Sequence, residues 1–259
     1  MLPRVLTIAG SDSGGGAGIQ ADLKAFAAAG VHGMSAIVAL TAQNTLGVTA
    51  VHEPPPAFVT AQLEAVFSDI GVDAAKTGML SSRRVIETVA DFLEAHRVTL
   101  VVDPVLVASS GAQLLEDDAV GALVTRLFPL ATVITPNLAE ARALCADPGL
   151  ATRADLAARL VSLGAAAAIV TGGHGEPVDH LFDGERHVAI PVERLDVRAT
   201  HGAGCTHSAT LAALLARGLP LEAAARGAAR AATDAVRHGL VEIGAGDGPV
   251  DILDVKART

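Results

Sequence analysis

Apolar and polar positions alternate along this chain so that strands and helices follow one another. Val5 to Ala9 is a short, continuous apolar run that ends in glycine, the mark of a strand buried on both faces. After the glycine-rich stretch from Gly10 to Gly18, helical spacing runs from Ile19 to about Ala29 and stops at Gly30. Further strands are predicted over Ser35 to Ala42, Asp73 to Thr77, Thr99 to Pro104, Thr132 to Pro136 and Ala166 to Thr171. Helices are predicted after the prolines at 54–56 through Phe67, from about Ser82 to His96, from Asn137 onward, and from about Leu221 to His238. Asp183-Gly184 predicts a hairpin turn. In the stretch from Thr200 to Leu215, small residues give way to Leu211, Leu214 and Leu215, one buried helix face.

Strands alternating with helices imply an α/β fold, a mostly parallel sheet with helices on both faces. No linker, repeat or low-complexity tract interrupts residues 1–259, so the expectation is a single domain. Polar or glycine-rich clusters recur just after strands, at Gly10, Gln43, Gly78, Asp103, Asn137, Gly172 and Gly202. In open α/β sheets, ligands bind along the carboxyl edge of the strands.

Composition narrows the function. The chain has 259 residues, 51% of them apolar, and no Trp or Tyr, so aliphatic side chains are expected to build the core and base stacking on aromatic platforms is not expected. A net charge of −9 is the wrong sign for a nucleic-acid binder, which makes a small molecule the expected partner. Two cysteines, Cys145 and Cys205, form no disulfide framework, and the early apolar run is broken by Arg4. The expectation is a cytoplasmic protein with no signal peptide and no membrane span.

Gly202-Ala203-Gly204 feeding a helix leaves backbone N–H groups unpaired and directs a positive dipole end outward, an anion site for which phosphate is the usual ligand. Cys205 stands at its mouth, where a helix N-terminus is expected to lower a thiol's pKa; a lone Cys in an apolar helix also serves as core filler. The loop at Gly10–Gly18 lacks the Lys-Ser/Thr of a phosphate-binding P-loop and the glycine spacing of a dinucleotide site, so it reads as a close-approach loop for a small ligand. Asp103 ends a strand, and Asn137 and Glu140 share a helix face, oxygen donors that suit Mg²⁺; Asn137 with Glu140 equally reads as a helix cap. Gln43 suits the edge of a heteroaromatic ring or is a polar turn residue. Asp22 suits an exocyclic amine or is a solvated helix acid. Met79 packs on a ring or in the core. His201 and His207 cap or fill, and Lys76 on a buried strand calls for a carboxylate such as Asp103. Together these groups point to phosphoryl transfer, a chemistry of positioning and charge stabilisation.

The segments GSDSGGGAGIQADLK from Gly10, TAQNT from Thr41, KTGML from Lys76, VVDPV from Val101, ITPNLAEA from Ile134, GGH from Gly172 and THGAGCT from Thr200 resemble, in order and over nearly the whole chain, the hydroxymethylpyrimidine/phosphomethylpyrimidine kinases of thiamine biosynthesis. The resemblance implies a ribokinase-like three-layer α/β/α sandwich with a minimal lid, usually a homodimer. It implies ATP- and Mg²⁺-dependent phosphorylation of 4-amino-5-hydroxymethyl-2-methylpyrimidine and then of its monophosphate. By position it makes Cys205 the base and Gly202, Ala203 and Gly204 the anion hole. Gln43 and Asp22 would read the aminopyrimidine, with Ala17, Met79 and Val105 lining its pocket. Asp103, Asn137, Thr171 and Thr200 would serve the nucleotide, and Asp103 and Glu140 the metal.

Three positions depart from the family pattern. Thr171 stands where a Lys facing the phosphates is common, Ala203 where Thr is commoner, and His207 where an apolar residue is usual. Two other readings stand beside the kinase. One is a pyridoxal or pyridoxine kinase of the same fold; the other is a catalytically silent ligand-binding homologue, since fold alone does not guarantee activity.

Overall fold

A computed structural model of the chain describes residues 1–107, 118–173 and 176–258; His174, part of the GGH segment, lies outside them. In chain order the elements are β1 (Arg4–Asp12), α1 (Gly18–Ala28), β2 (His32–Asn44), β3 (Gly47–His52), α2 (Pro56–Ala65), β4 (Ala74–Thr77), α3 (Arg83–Ala95), β5 (Thr99–Val102) and α4 (Ala119–Ala122). Then come β6 (Val133–Ile134), α5 (Leu138–Cys145), α6 (Arg153–Ser162), β7 (Ala168–Val170), β8 (Val178–Phe182), β9 (His187–Pro191), α7 (Ala203–Ala216) and α8 (Leu221–Arg237).

Among the described residues the strands form one nine-stranded sheet, ordered β3-β2-β1-β4-β5-β6-β7-β8-β9. The central pairs are parallel, while β3, β8 and β9 add antiparallel edges. The sequence pattern missed β3, α4 and α6, began β2 three residues late and ended it two residues early. The β3 segment has no buried face to impose alternation, because Thr49, Ala50, Val51 and His52 are all exposed.

Side chains alternate across each strand and so divide the core into two layers. Leu6, Ile8, Ala75, Leu100 and Val102 face α2 through α6, whereas Val5, Ala74 and Val101 face α1, α7 and α8. The three-layer sandwich follows. The same period sends Thr7, Lys76 and Asp103 toward α1 and α7, because each lies two residues beyond Val5, Ala74 and Val101. Strand order also reverses around β1: β2 lies on one side of it and β4 on the other. The loops after β1 and β4 therefore part at a switch point, where open sheets leave a crevice.

Candidate functional site

The glycine-rich loop after β1 is organised from within by Asp12. This carboxylate is 3% exposed and accepts from the backbone N–H groups of Gly14 (2.7 Å), Gly16 (3.0 Å) and Ala17 (2.9 Å). Nε2 of His201 lies 2.9 Å from its Oδ2. Burial works against the charge, but the bonds from His201, Gly14 and Ala17 outweigh it and hold Asp12 below the usual carboxylate range. Because the loop's amides turn inward to Asp12, they are not displayed to an external phosphate, in keeping with a close-approach loop.

His201 carries the contact on to the start of α7. Gly202 adopts a left-handed conformation (φ 85°), and a Cβ there would sit 1.9 Å from the carbonyl oxygen of Gly16. The two glycine segments thus close on each other. In the first turn of α7, the N–H of Ala203 is taken by the Thr200 carbonyl at 3.1 Å. Gly204 and Cys205 are the next first-turn positions, whose N–H groups find no acceptor inside the helix. Of the Gly202–Gly204 turn expected to hold an anion, Gly202 shapes the backbone and the Ala203 N–H is already bonded.

Beneath this turn lies a buried charge cluster. Lys76 Nζ is 3.0 Å from Asp22 Oδ1 and 3.6 Å from Asp103 Oδ2, and both Lys76 and Asp22 are fully buried. Thr7 donates to Asp22 Oδ2 at 2.6 Å, and the Ser208 hydroxyl donates to Asp103 Oδ2 at 2.8 Å. Burial opposes the Lys76 ammonium, but Asp22, Cys205 and Asp103 more than compensate and raise it above its ordinary value. This corrects one expectation for Asp22: it is no solvated helix acid, since its fully buried carboxylate faces Lys76 and Thr7 on the floor of the site.

The Cys205 thiol behaves opposite to expectation. Burial pushes it up to about 12, and Asp22 and Asp103 add to the rise, whereas Lys76 and the Gly18 N–H favour the thiolate. Desolvation and nearby carboxylates outweigh the helix terminus, so the resting group is a thiol.

Around the mouth, a register shift between Ala42 and Gln43 marks a bulge in β2, and such bulges re-aim side chains. Half-buried Gln43 accepts from Thr41 Oγ1 at 3.0 Å and lies 3.4 Å from His201. Met79 sets its methyl against Gly10, and Ala17 and Val105 are partly exposed beside this cluster.

The other side of the site is less settled. Asn137 and Glu140 form a reciprocal capping box: Asn137 Oδ1 accepts from the N–H groups of Ala139 and Glu140, and Glu140 Oε2 accepts from the Asn137 N–H at 2.9 Å. The amide nitrogen of Asn137, a donor, is what this arrangement leaves for a ligand. Glu140 is buried beside Asp103; burial and that like charge push its pKa up to about 8. Thr171 bridges to Asn137 in parallel, at the tip of β7. Thr200 is exposed, with its carbonyl spent on Ala203.

Residues 12–251 match the family model described as phosphomethylpyrimidine kinase. The chain belongs to the phosphomethylpyrimidine kinase family. It is 51% identical over 261 residues to the hydroxymethylpyrimidine/phosphomethylpyrimidine kinase of Rhizobium meliloti, covering 96% of this chain and 97% of that one. In structure it is similar to Bacillus subtilis pyridoxal kinase bound to ADP (TM-score 0.89, 38% identity, 99% of each chain). It is also similar to the phosphomethylpyrimidine kinase of Clostridium difficile (TM-score 0.80, 39% identity, 90% of this chain and 99% of that one).

For a phosphomethylpyrimidine kinase, an oxygen-lined place for a cation is the natural companion to a nucleotide. Among the described residues no group of three or more His, Cys, Asp and Glu converges on one point. The Asp103–Glu140 pair does fit such an ion: the nearby Asp103 carboxylate adds to what burial costs Glu140, and Mg²⁺ takes one or two carboxylates with waters and phosphates completing its shell. Sequence reasoning on this kinase missed Asp12, Thr7 and Ser208 and left Lys76 and His201 open. Asp12 had a signal, since an Asp opening a glycine turn commonly collects the amides that follow it.

Proposed function

We propose that this kinase transfers the γ-phosphoryl group of ATP to the hydroxymethyl oxygen of 4-amino-5-hydroxymethyl-2-methylpyrimidine, and then phosphorylates the monophosphate to the diphosphate. The observation that carries the reading is the convergence of Cys205, the unpaired first-turn amides of α7, Lys76 and Asp103 at the switch point, in a chain that belongs to this family. Gln43 would offer its amide to the ring edge, with Met79, Ala17 and Val105 lining the apolar walls. The hydroxyl oxygen attacks phosphorus, the bond to the ADP oxygen breaks, and the hydroxyl proton passes to the Cys205 thiolate, the resting thiol having first released its own proton to solvent. Amides of Gly204 and Cys205 hold the oxygens of the transferring group as charge develops on them. Asn137 and the Thr171 turn serve the nucleotide. Asp103 and Glu140 would hold Mg²⁺, which supplies positive charge to the nucleotide phosphates and offsets the carboxylates that keep Cys205 protonated at rest.

We further propose that residues 1–259 act as one unit in the cytoplasm and as a homodimer. No helix among the described residues is long and apolar enough to cross a membrane. Leu40, Leu46, Val51 and Phe58 leave exposed apolar side chains around the β3 edge, which suits a second copy.

A coupled ADP-release assay tests the function with hydroxymethylpyrimidine, its monophosphate and pyridoxine side by side. Turnover of both pyrimidines with little on pyridoxine is expected. The close structural likeness to a pyridoxal kinase supports one other reading: pyridoxine as the better substrate would make this chain a vitamin B6 kinase. Binding without turnover on any of the three would make it a silent homologue.

A further inference from the structure

One buried polar pair is left unused by this scheme. His207 lies on α7 one turn before Leu211, on the face turned toward the sheet, and is 5% exposed. Neither of its ring nitrogens has an aligned hydrogen-bond partner. Nε2 is 3.3 Å from Oδ2 of Asp179 on β8, itself 3% exposed. The other oxygen of Asp179 accepts the Gly172 N–H at 2.6 Å. Gly172 is pressed so closely onto β8 that a Cβ would fall 2.5 Å from the backbone of Val178. A buried imidazole and a buried carboxylate are costly apart and tolerable together. Asp179 therefore has one oxygen on the turn after β7 and the other on the helix that carries Cys205.

We propose that His207 is a positioning residue: through Asp179 it fixes the Thr171–Gly173 turn against the first turns of α7, so that the nucleotide side and the anion turn keep one geometry. The proposal rests on the placement of the nucleotide beside Thr171. It makes His207 more than an apolar filler with nitrogens, because its effect is specific to one substrate.

The test is steady-state kinetics on the full chain, varying ATP at saturating pyrimidine and the pyrimidine at saturating ATP. His207→Leu should raise KM for ATP about five-fold, the scale of one lost polar contact, and leave KM for the pyrimidine within about two-fold. His207→Gln, which keeps a donor near Nε2, should restore KM for ATP. Asp179→Asn should act like His207→Leu, and the double variant should be no worse than either. If His207→Leu does not fold, Asp179→Asn decides the matter. An unchanged KM for ATP in these variants, with only the melting temperature lowered, overturns the proposal. Thr171→Lys separates two kinds of failure. If it alone shifts KM for ATP, the tie through Asp179 is wrong while the nucleotide placement stands. If no variant shifts it, the turn is not on the nucleotide side and both ideas fall.

Discussion

The two halves of the site handle buried charge in opposite ways. On the alcohol side every charge has an internal partner: Asp12 has three amides and His201, and Lys76 has Asp22 and Asp103. On the nucleotide side, burial and the nearby Asp103 carboxylate push Glu140 up to about 8, so it rests protonated. On the proposed assignment of the site, the first half is assembled before ligand arrives and the second would be completed by what the nucleotide brings. The sharpest way to break this contrast is Lys76→Met, which would strip the buried Asp22 of its counter-ion in the core. Removing one partner of a buried pair costs about 3–5 kcal/mol. Chemical denaturation should show a loss of that size together with loss of turnover; a stable, active variant would mean that the alcohol side is not held by this ion pair.

Cys205 lies where the halves meet. Cys205→Ala should lower kcat by about 10²- to 10⁴-fold, the range for a lost proton-transfer group. Folding stability should change little, because only one sulfur is removed from a partly exposed residue. With its thiol at about 12, Cys205 should react slowly with iodoacetamide at neutral pH, and the rate should still be climbing at pH 10. Full turnover in the alanine variant would remove Cys205 from the chemistry and leave the amides and the cation to account for the rate.

Asp12→Asn probes the preassembled side more gently, since the side chain keeps its size and loses its charge. Three loop amides and His201 lose a charged acceptor, so about 2 kcal/mol of stability should go, with a higher KM for the pyrimidine and a nearly unchanged KM for ATP. The native pKa lies below the unfolded one. Its contribution is therefore present above the unfolded value of 3.8 and is lost as pH falls through the lower native value. Acid unfolding monitored by circular dichroism should show wild type and variant converging only at low pH.

These charges explain what could be read from the chain and what could not. Buried strands such as Val5 to Ala9 announce themselves, and so does the glycine turn before α7, because local pattern alone determines them. The cap of α5 was legible for the same reason: Asn137 and Glu140 are three residues apart. The β3 edge strand was not legible, because exposed residues there carry no alternation. Nor were the long-range pairings, Lys76 with Asp22 across 54 positions and Asp12 with His201 across 189. Spacing within a motif says nothing of those. Long-range packing also accounts for the wrong expectation about Cys205: the helix terminus is local and visible in sequence, whereas the burial of the thiol and the carboxylates of Asp22 and Asp103 are brought by distant elements.

The mildest probe addresses the incomplete half. Glu140 holds its proton in the folded chain up to about pH 8, while an unfolded chain releases it near the ordinary 4.5. The native state then binds more protons across that window, so its stability falls as pH rises from about 5 toward 8. Glu140→Gln has no proton to hold and no such slope. Between pH 6 and 7 the variant should gain about 1 kcal/mol on wild type in thermal or urea unfolding without metal. Millimolar Mg²⁺ with nucleotide should reverse the ranking, because a cation favours the ionised carboxylate that only wild type provides. Parallel pH profiles for the two proteins would mean that Glu140 is already satisfied in the resting fold. The contrast between the halves of the site would then vanish, and Asp103 alone would remain to meet the cation.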